Sequence, residues 1–171
     1  MSDFMWFPYI MWGIWGGCVW GLHFFGIQLF KKCQFHQLIY EDSPNSHQKK
    51  EGTPTMGGVF IVLSFFSAMV LLGVQSFAHA WVLFVTGLFF LIGFMDDSLG
   101  LIRKTNKGLS ARVKFLLQVV FSVLVVGLYQ YGVDTVTWIE GVLYVFLLVG
   151  TSNACNLTDG VDGLLSSTMI V

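Results

Sequence analysis

The chain has 171 residues, of which 55% are hydrophobic and only 11% charged, and its formal net charge is −1. That is less than half the charge of an average soluble domain, so a water-facing surface cannot be covered, while the high hydrophobicity excludes disorder. A near-neutral chain has no basic field to hold nucleic acid. Three prolines and no short repeat exclude a collagen-like or low-complexity chain, which leaves an integral membrane protein.

The N-terminus lacks the positive start of a cleavable signal: the first charge is Asp3, and no Lys or Arg precedes Lys31. Phe4 to Phe30 gives 27 residues without a formal charge, against about 20 needed to cross a bilayer. His23, inside this run, reads as a neutral side chain packed between helices. After the polar stretch Lys31 to Gly52, the run Thr53 to Met95 holds 43 residues without Asp, Glu, Lys or Arg. That is room for two spans, with a turn at Gly73 to Ala80, where Gln75, Ser76 and His79 lie. Thr53-Pro54 reads as the N-cap and first turn of the second span.

A second polar stretch runs from Asp96 to Lys114, and Ser110 within it reads as the cap of the fourth span. Phe115 to Val133 gives 19 uncharged residues and, beyond a link with Asp134 and Glu140, Gly141 to Thr158 gives 18. The spacing predicts an all-α, polytopic membrane helix bundle, one transmembrane domain over residues 1–171, with five complete spans. A sixth apolar run opens near Leu164 and reaches Val171 without a closing flank, so the chain is expected to be the N-terminal part of something longer. Membrane strands alternate apolar and polar residues. Runs such as Val59-Phe60-Ile61-Val62-Leu63 are apolar on every face and suit helices. Cys18, Cys33 and Cys155 share no ligand-type spacing and read as small buried apolar residues.

All nine Lys and Arg lie in two stretches, Lys31, Lys32, Lys49 and Lys50 in one, and Arg103, Lys104, Lys107, Arg112 and Lys114 in the other. Two spans separate the stretches, so both are expected on one side, the cytoplasm, with the N-terminus outside. Trp6, Trp81 and Trp138 then fall at outer boundaries, as an aromatic belt would place them. The same parity brings Asp96-Asp97, the segment Gly52 to Gly58 and the segment Asn156 to Gly163 to the cytoplasmic face.

Asp96-Asp97 reads as the end of the third span, at a helix C-terminus, where each carboxylate costs about 0.3–1 kcal/mol against the helix dipole. Two readings stay open: an exposed pair answered by Arg103 or Lys104, or a site for a hard divalent ion, which brings phosphates with it. The two Asp-Gly steps between Asn156 and Gly163 suit either an interhelical turn or a polar loop gripping a ligand. Lys49 and Lys50 abut a helix N-terminus, which attracts anions. Arg112 and Lys114 serve equally as headgroup anchors or as charge for a lipid phosphate.

Four motifs in order carry a resemblance: Glu51-Gly-Thr-Pro-Thr-Met-Gly-Gly58, Gly93-Phe-Met-Asp-Asp97, Lys107-Gly-Leu-Ser-Ala-Arg112 and Asn153-Ala-Cys-Asn-Leu-Thr-Asp-Gly-Val-Asp-Gly163. Together they resemble the phospho-N-acetylmuramoyl-pentapeptide transferase branch of the polyprenyl-phosphate N-acetylhexosamine-1-phosphate transferases. The resemblance implies a magnesium-dependent enzyme of the bacterial cytoplasmic membrane, its active site facing the cytoplasm. It would move phospho-N-acetylmuramoyl-pentapeptide from its UDP carrier to undecaprenyl phosphate, giving lipid I and UMP for peptidoglycan synthesis. By motif, Asp96 and Asp97 would be catalytic, with Asp97 also supporting the metal. Lys50, Thr55, Lys104, Arg112, Asn153, Asn156, Asp159, Gly160 and Asp162 would bind substrate. Direct attack by the lipid phosphate and a covalent Asp intermediate both remain open, and a homodimer is compatible with the resemblance.

Two departures stand out. Gly100 occupies a position where the family usually has Lys. The family's third essential aspartate, a magnesium ligand, and its His-rich motif are expected beyond Val171, so the 171 residues alone are expected to lack activity. The competing readings are a related UDP-N-acetylglucosamine sugar-1-phosphate transferase, an inactive membrane scaffold, and a transporter segment. The last is disfavoured because no Asp, Glu, Lys or Arg falls mid-span.

Overall fold

The computed structural model describes residues 6–33, 55–73, 76–105, 108–133, 136–158 and Ser167. Among them the regular structure is helical throughout: α1 (Phe7–Lys32), α2 (Gly58–Leu71), α3 (Phe77–Arg103), α4 (Ala111–Val133) and α5 (Trp138–Thr158). Four of these, α1, α3, α4 and α5, are long and apolar enough to cross a membrane. The expected second span is shorter. The 14 residues of α2 reach about 21 Å at about 1.5 Å per residue, less than the ~30 Å hydrocarbon core. Large apolar side chains face outward along every helix, among them Trp20 (71% exposed) and Phe146 (73%). That inversion suits helices whose outer solvent is lipid. Cys18 and Cys33 are likewise exposed and Cys155 half-buried, which corrects the expectation that all three are buried.

The chain divides into two compact units, Met1–Leu109 and Ser110–Val171. In the first, α1 packs on α2 and α2 on α3. Pro8 stands in the first turn of α1, where its missing N–H costs nothing, and Lys31 and Lys32 stand in the last, where they answer the helix dipole. Gly26 is buried, and a Cβ there would overlap the ring of Phe60. Phe30 packs on the same ring, with centroids 4.9 Å apart. Further along, Trp15 Nε1 donates to Ser67 Oγ at 3.1 Å, so α1 and α2 run antiparallel. His23 is half-buried at this contact, 6.1 Å from the Phe60 ring, and its Nδ1 donates to the Val19 carbonyl at 2.9 Å.

Thr53-Pro54, expected to open α2, lies outside the described residues. The helix instead begins at Gly58 with Gly57 as N-cap, directly after Met56, whose φ of 66° is left-handed. The expected turn at Gly73 to Ala80 falls between Leu71 and Phe77. Gly73 takes a positive φ of 71° there, and the Ser76 hydroxyl caps α3 by accepting from His79 N at 3.3 Å. The largest correction concerns the far end of α3. The helix does not stop at Asp96-Asp97 but continues to Arg103.

In the second unit α4 and α5 form an antiparallel pair. Ser110 caps α4 as its sequence predicts, accepting from Val113 N at 3.4 Å. The helix α5 opens at Trp138, three residues before the expected Gly141, because Thr137 and Glu140 form a capping box. The Thr137 N–H donates to Glu140 Oε2 at 2.8 Å, and Glu140 N–H donates back to Thr137 Oγ1 at 3.4 Å. At the other end α5 runs through Thr158, so Asn156 lies in its last turn, not in a loop.

Candidate active site

Asp96 is the twentieth residue of α3, about 30 Å along the helix at about 1.5 Å per residue, the thickness of a bilayer's hydrocarbon core. Seven more residues follow before the helix ends, so the unfavourable C-terminal dipole, which fades within one turn, does not act on Asp96 or Asp97. Both are half-buried. The helix stops in a Schellman arrangement with Lys104 in the left-handed position (φ 49°). Thr105 N donates to Gly100 O at 3.1 Å and Lys104 N to Leu101 O at 3.2 Å.

Gly100 takes its meaning from this turn. A Cβ at 100 would lie 3.3 Å from the Thr105 carbonyl, so the departure from the usual Lys sits where the chain folds back tightly. Beyond the turn, the loop returns to the helix: the Leu109 N–H donates to Asp96 Oδ1 at 2.7 Å, and Arg103 Nη1 donates to the Gly108 carbonyl at 3.3 Å.

The polar end of the second unit is built across α4 and α5. Lys114 Nζ donates to Asn156 Oδ1 at 2.9 Å. One turn deeper, Asn153 Nδ2 donates to Gln118 Oε1 at 2.7 Å and to the Val149 carbonyl at 2.9 Å, while Gln118 Nε2 donates to Ser152 Oγ at 3.0 Å. Gln118 is 1% exposed, so these bonds satisfy an amide that would otherwise be costly between apolar helices. A further turn along, Ser122 is fully buried and its hydroxyl has no hydrogen-bond partner among the described residues.

Among the described residues no group of three or more His, Cys, Asp or Glu gathers to hold a metal. A closed protein cage is therefore not built there. Magnesium is ordinarily held by one or two carboxylates together with waters and substrate phosphates. The Asp96-Asp97 step offers that smaller donor set.

Of the residues expected at the site, Asp96 and Asp97 share one step of α3, Lys104 is its exposed C-cap, and Thr55 is half-buried just before α2. Arg112 is exposed in the first turn of α4, while Asn153 and Asn156 lie on α5, three residues apart. Lys50, Asp159, Gly160 and Asp162 lie outside the described residues. Lys114, Gln118, Ser152 and the Leu109 amide were not expected as partners. Gln118 carries a signal in the sequence, as a lone amide inside an apolar run; the Leu109 amide carries none.

Comparison with known proteins adds the following. Residues 79–171, just over half of the chain, match the model of glycosyl transferase family 4. Residues 50–62 match phospho-N-acetylmuramoyl-pentapeptide-transferase signature 1. The chain is 40% identical over 162 residues to the phospho-N-acetylmuramoyl-pentapeptide-transferase of Bacillus licheniformis, covering 85% of this chain and 50% of that protein. It is 41% identical over 162 residues to that of Geobacillus thermodenitrificans and 39% over 163 to that of Bacillus subtilis, with the same coverage. The chain spans about half the length of the curated relatives it matches.

Proposed function

This chain belongs to glycosyl transferase family 4, and on that premise we propose that it transfers phospho-N-acetylmuramoyl-pentapeptide from UDP to undecaprenyl phosphate, releasing UMP and forming lipid I. The observation that carries the reading is the signature match over residues 50–62, which contains Lys50 and Thr55. It favours the muramoyl-pentapeptide branch over the N-acetylglucosamine one. The helices long enough to cross a membrane fit a lipid acceptor. The gathering of all nine bases in two stretches of sequence supports a site on the cytoplasmic side of the bacterial membrane.

The chemistry is an in-line displacement. An oxygen of the lipid phosphate forms a bond to the sugar-linked phosphorus, and the bond from that phosphorus to the UMP oxygen breaks. A phosphate monoester has its second pKa near 6, so the nucleophile is already mostly a dianion at neutral pH. Positioning and charge neutralisation carry such transfers. Asp96 orients the lipid phosphate and accepts its remaining proton when one is present. Lys50, Lys104 and Arg112 gather phosphate oxygens, and Thr55 contacts the nucleotide. In this proposal Asp97 would help to hold magnesium, and the ion would supply positive charge to the phosphate oxygens. Asn156, Asp159, Gly160 and Asp162 line the uridine side. The Asn153 amide, which donates to Gln118 and Val149, fixes the helix that presents Asn156.

The test is UMP release by the full-length protein in detergent or nanodiscs. Release is expected from UDP-N-acetylmuramoyl-pentapeptide, only when undecaprenyl phosphate is present. Release from UDP-N-acetylglucosamine instead would assign the chain to the related branch, and release from neither would remove the transferase reading.

A further inference from the structure

The loop after α3 is held at Gly108 from both sides. The Arg103 guanidinium donates to its carbonyl, and the N–H of the next residue, Leu109, donates to Asp96 Oδ1. A Cβ on Gly108 would collide with both the carboxylate and the backbone oxygen of Asp96. A side-chain oxygen can rotate away from such a clash; a helix backbone oxygen cannot. Gly108 and Leu109 are half-buried, so the bond is sheltered from competing water.

From this we infer that Gly108 and the Leu109 amide are the positioning elements of Asp96. The loop closes on the carboxylate because residue 108 has no side chain, and closure holds the carboxylate in one orientation. The inference rests on the role proposed for Asp96, and extends it to two residues that do not touch substrate. A displacement of 1 Å at a reacting group can cost about 100-fold in rate, so loosening the loop acts on turnover more than on substrate affinity.

Two measurements on the full-length protein in nanodiscs separate the inference from the function it rests on. The first is hydrogen exchange at the Leu109 amide. At least tenfold faster exchange is expected in Asp96→Ala and in Gly108→Ala, and unchanged exchange in both overturns the clamp. The second is steady-state UMP release. Gly108→Ala is expected to lower kcat by 10- to 100-fold with both KM values within twofold. Arg103→Met, which adds no bulk, is expected to lower kcat two- to fivefold and serves if Gly108→Ala does not fold. Gly127→Ala, whose Cβ would meet open space, is expected to match the wild type. Wild-type kcat in Gly108→Ala, or in Arg103→Met when that variant stands in, overturns the positioning role, as does a change confined to KM. Absence of UMP release in the wild type would remove the proposed function, while the exchange measurement still decides whether the loop holds Asp96.

Discussion

Lys114 on α4 donates to Asn156 on α5 at 2.9 Å, joining two residues 42 positions apart. The lysine comes from the basic run that opens α4, and the asparagine from the motif that ends α5. In the proposed site this bond sets how Asn156 meets the nucleotide. A partly exposed, charge-assisted bond of about 1–1.4 kcal/mol is worth up to about tenfold in binding. Lys114→Met is therefore expected to raise the KM for the UDP-linked donor three- to tenfold, with Lys114→Arg close to wild type. An unchanged donor KM in Lys114→Met would detach Asn156 from the nucleotide.

Asp97 supports the metal in the proposal. Removing one preorganised electrostatic group from a transfer site costs about 100- to 1000-fold in turnover. Asp97→Asn in the full-length protein is expected to lose UMP release to that extent while inserting normally into the membrane, as judged by carbonate extraction. Retained turnover would take Asp97 out of the site.

The Gln118–Asn153 bond is a structural prediction independent of function. Hydrogen bonds between membrane helices contribute about 0.6–2 kcal/mol. Gln118→Leu and Asn153→Leu are each expected to lower the thermal midpoint, because the first takes one acceptor from the Asn153 amide and the second takes the donor from Gln118 Oε1, whereas the double variant is expected to lose less than the sum. Ser122→Ala, which removes a buried hydroxyl without a partner among the described residues, is expected to be neutral or mildly stabilising. Additive losses in the double-variant cycle would show that the bond does not join the helices.

Gly26 and Phe60 give a second packing test. Overfilling a close contact costs about 1–3 kcal/mol, so Gly26→Val is expected to destabilise the protein by that order. Gly26→Val combined with Phe60→Ala is expected to recover part of the loss. If the double variant is worse than either single one, the two residues do not share a contact.

Topology is tested by labelling. In a background with Cys18, Cys33 and Cys155 replaced by Ala, Thr105→Cys is expected to react with an impermeant thiol reagent only from the cytoplasmic side, and Ser76→Cys only from outside. Thr105 and Ser76 lie at opposite ends of α3 and both are exposed. The reverse pattern would invert the orientation read from the lysines and arginines.

The helices were legible because uncharged runs of sufficient length have few other uses, and Ser110 was legible as a cap because it directly precedes a basic helix start. The boundaries that moved did so for physical reasons. Charge is a poor marker of a helix end: α3 passes through Asp96 and Asp97 and carries on to Arg103. The Thr137-x-x-Glu140 pattern was present in the sequence; reading Glu140 as part of a polar link hid its role as a reciprocal cap. Gln118 vanished from a count of charges because it carries none, although a neutral amide among apolar helices needs a partner as much as an ion does. The bond from Leu109 to Asp96 depends on how the chain turns after Lys104, and no local pattern of residue types encodes that return.

In the proposed reaction, the seven residues of α3 beyond Asp96 would set the depth of the chemistry. A carboxylate about 30 Å along a spanning helix would ride level with the phosphates of the surrounding leaflet. The proposed isoprenoid acceptor would then never have to leave its own monolayer to be met. Its approach would become lateral diffusion in a plane, and the nucleotide would be the only participant to arrive from the third dimension.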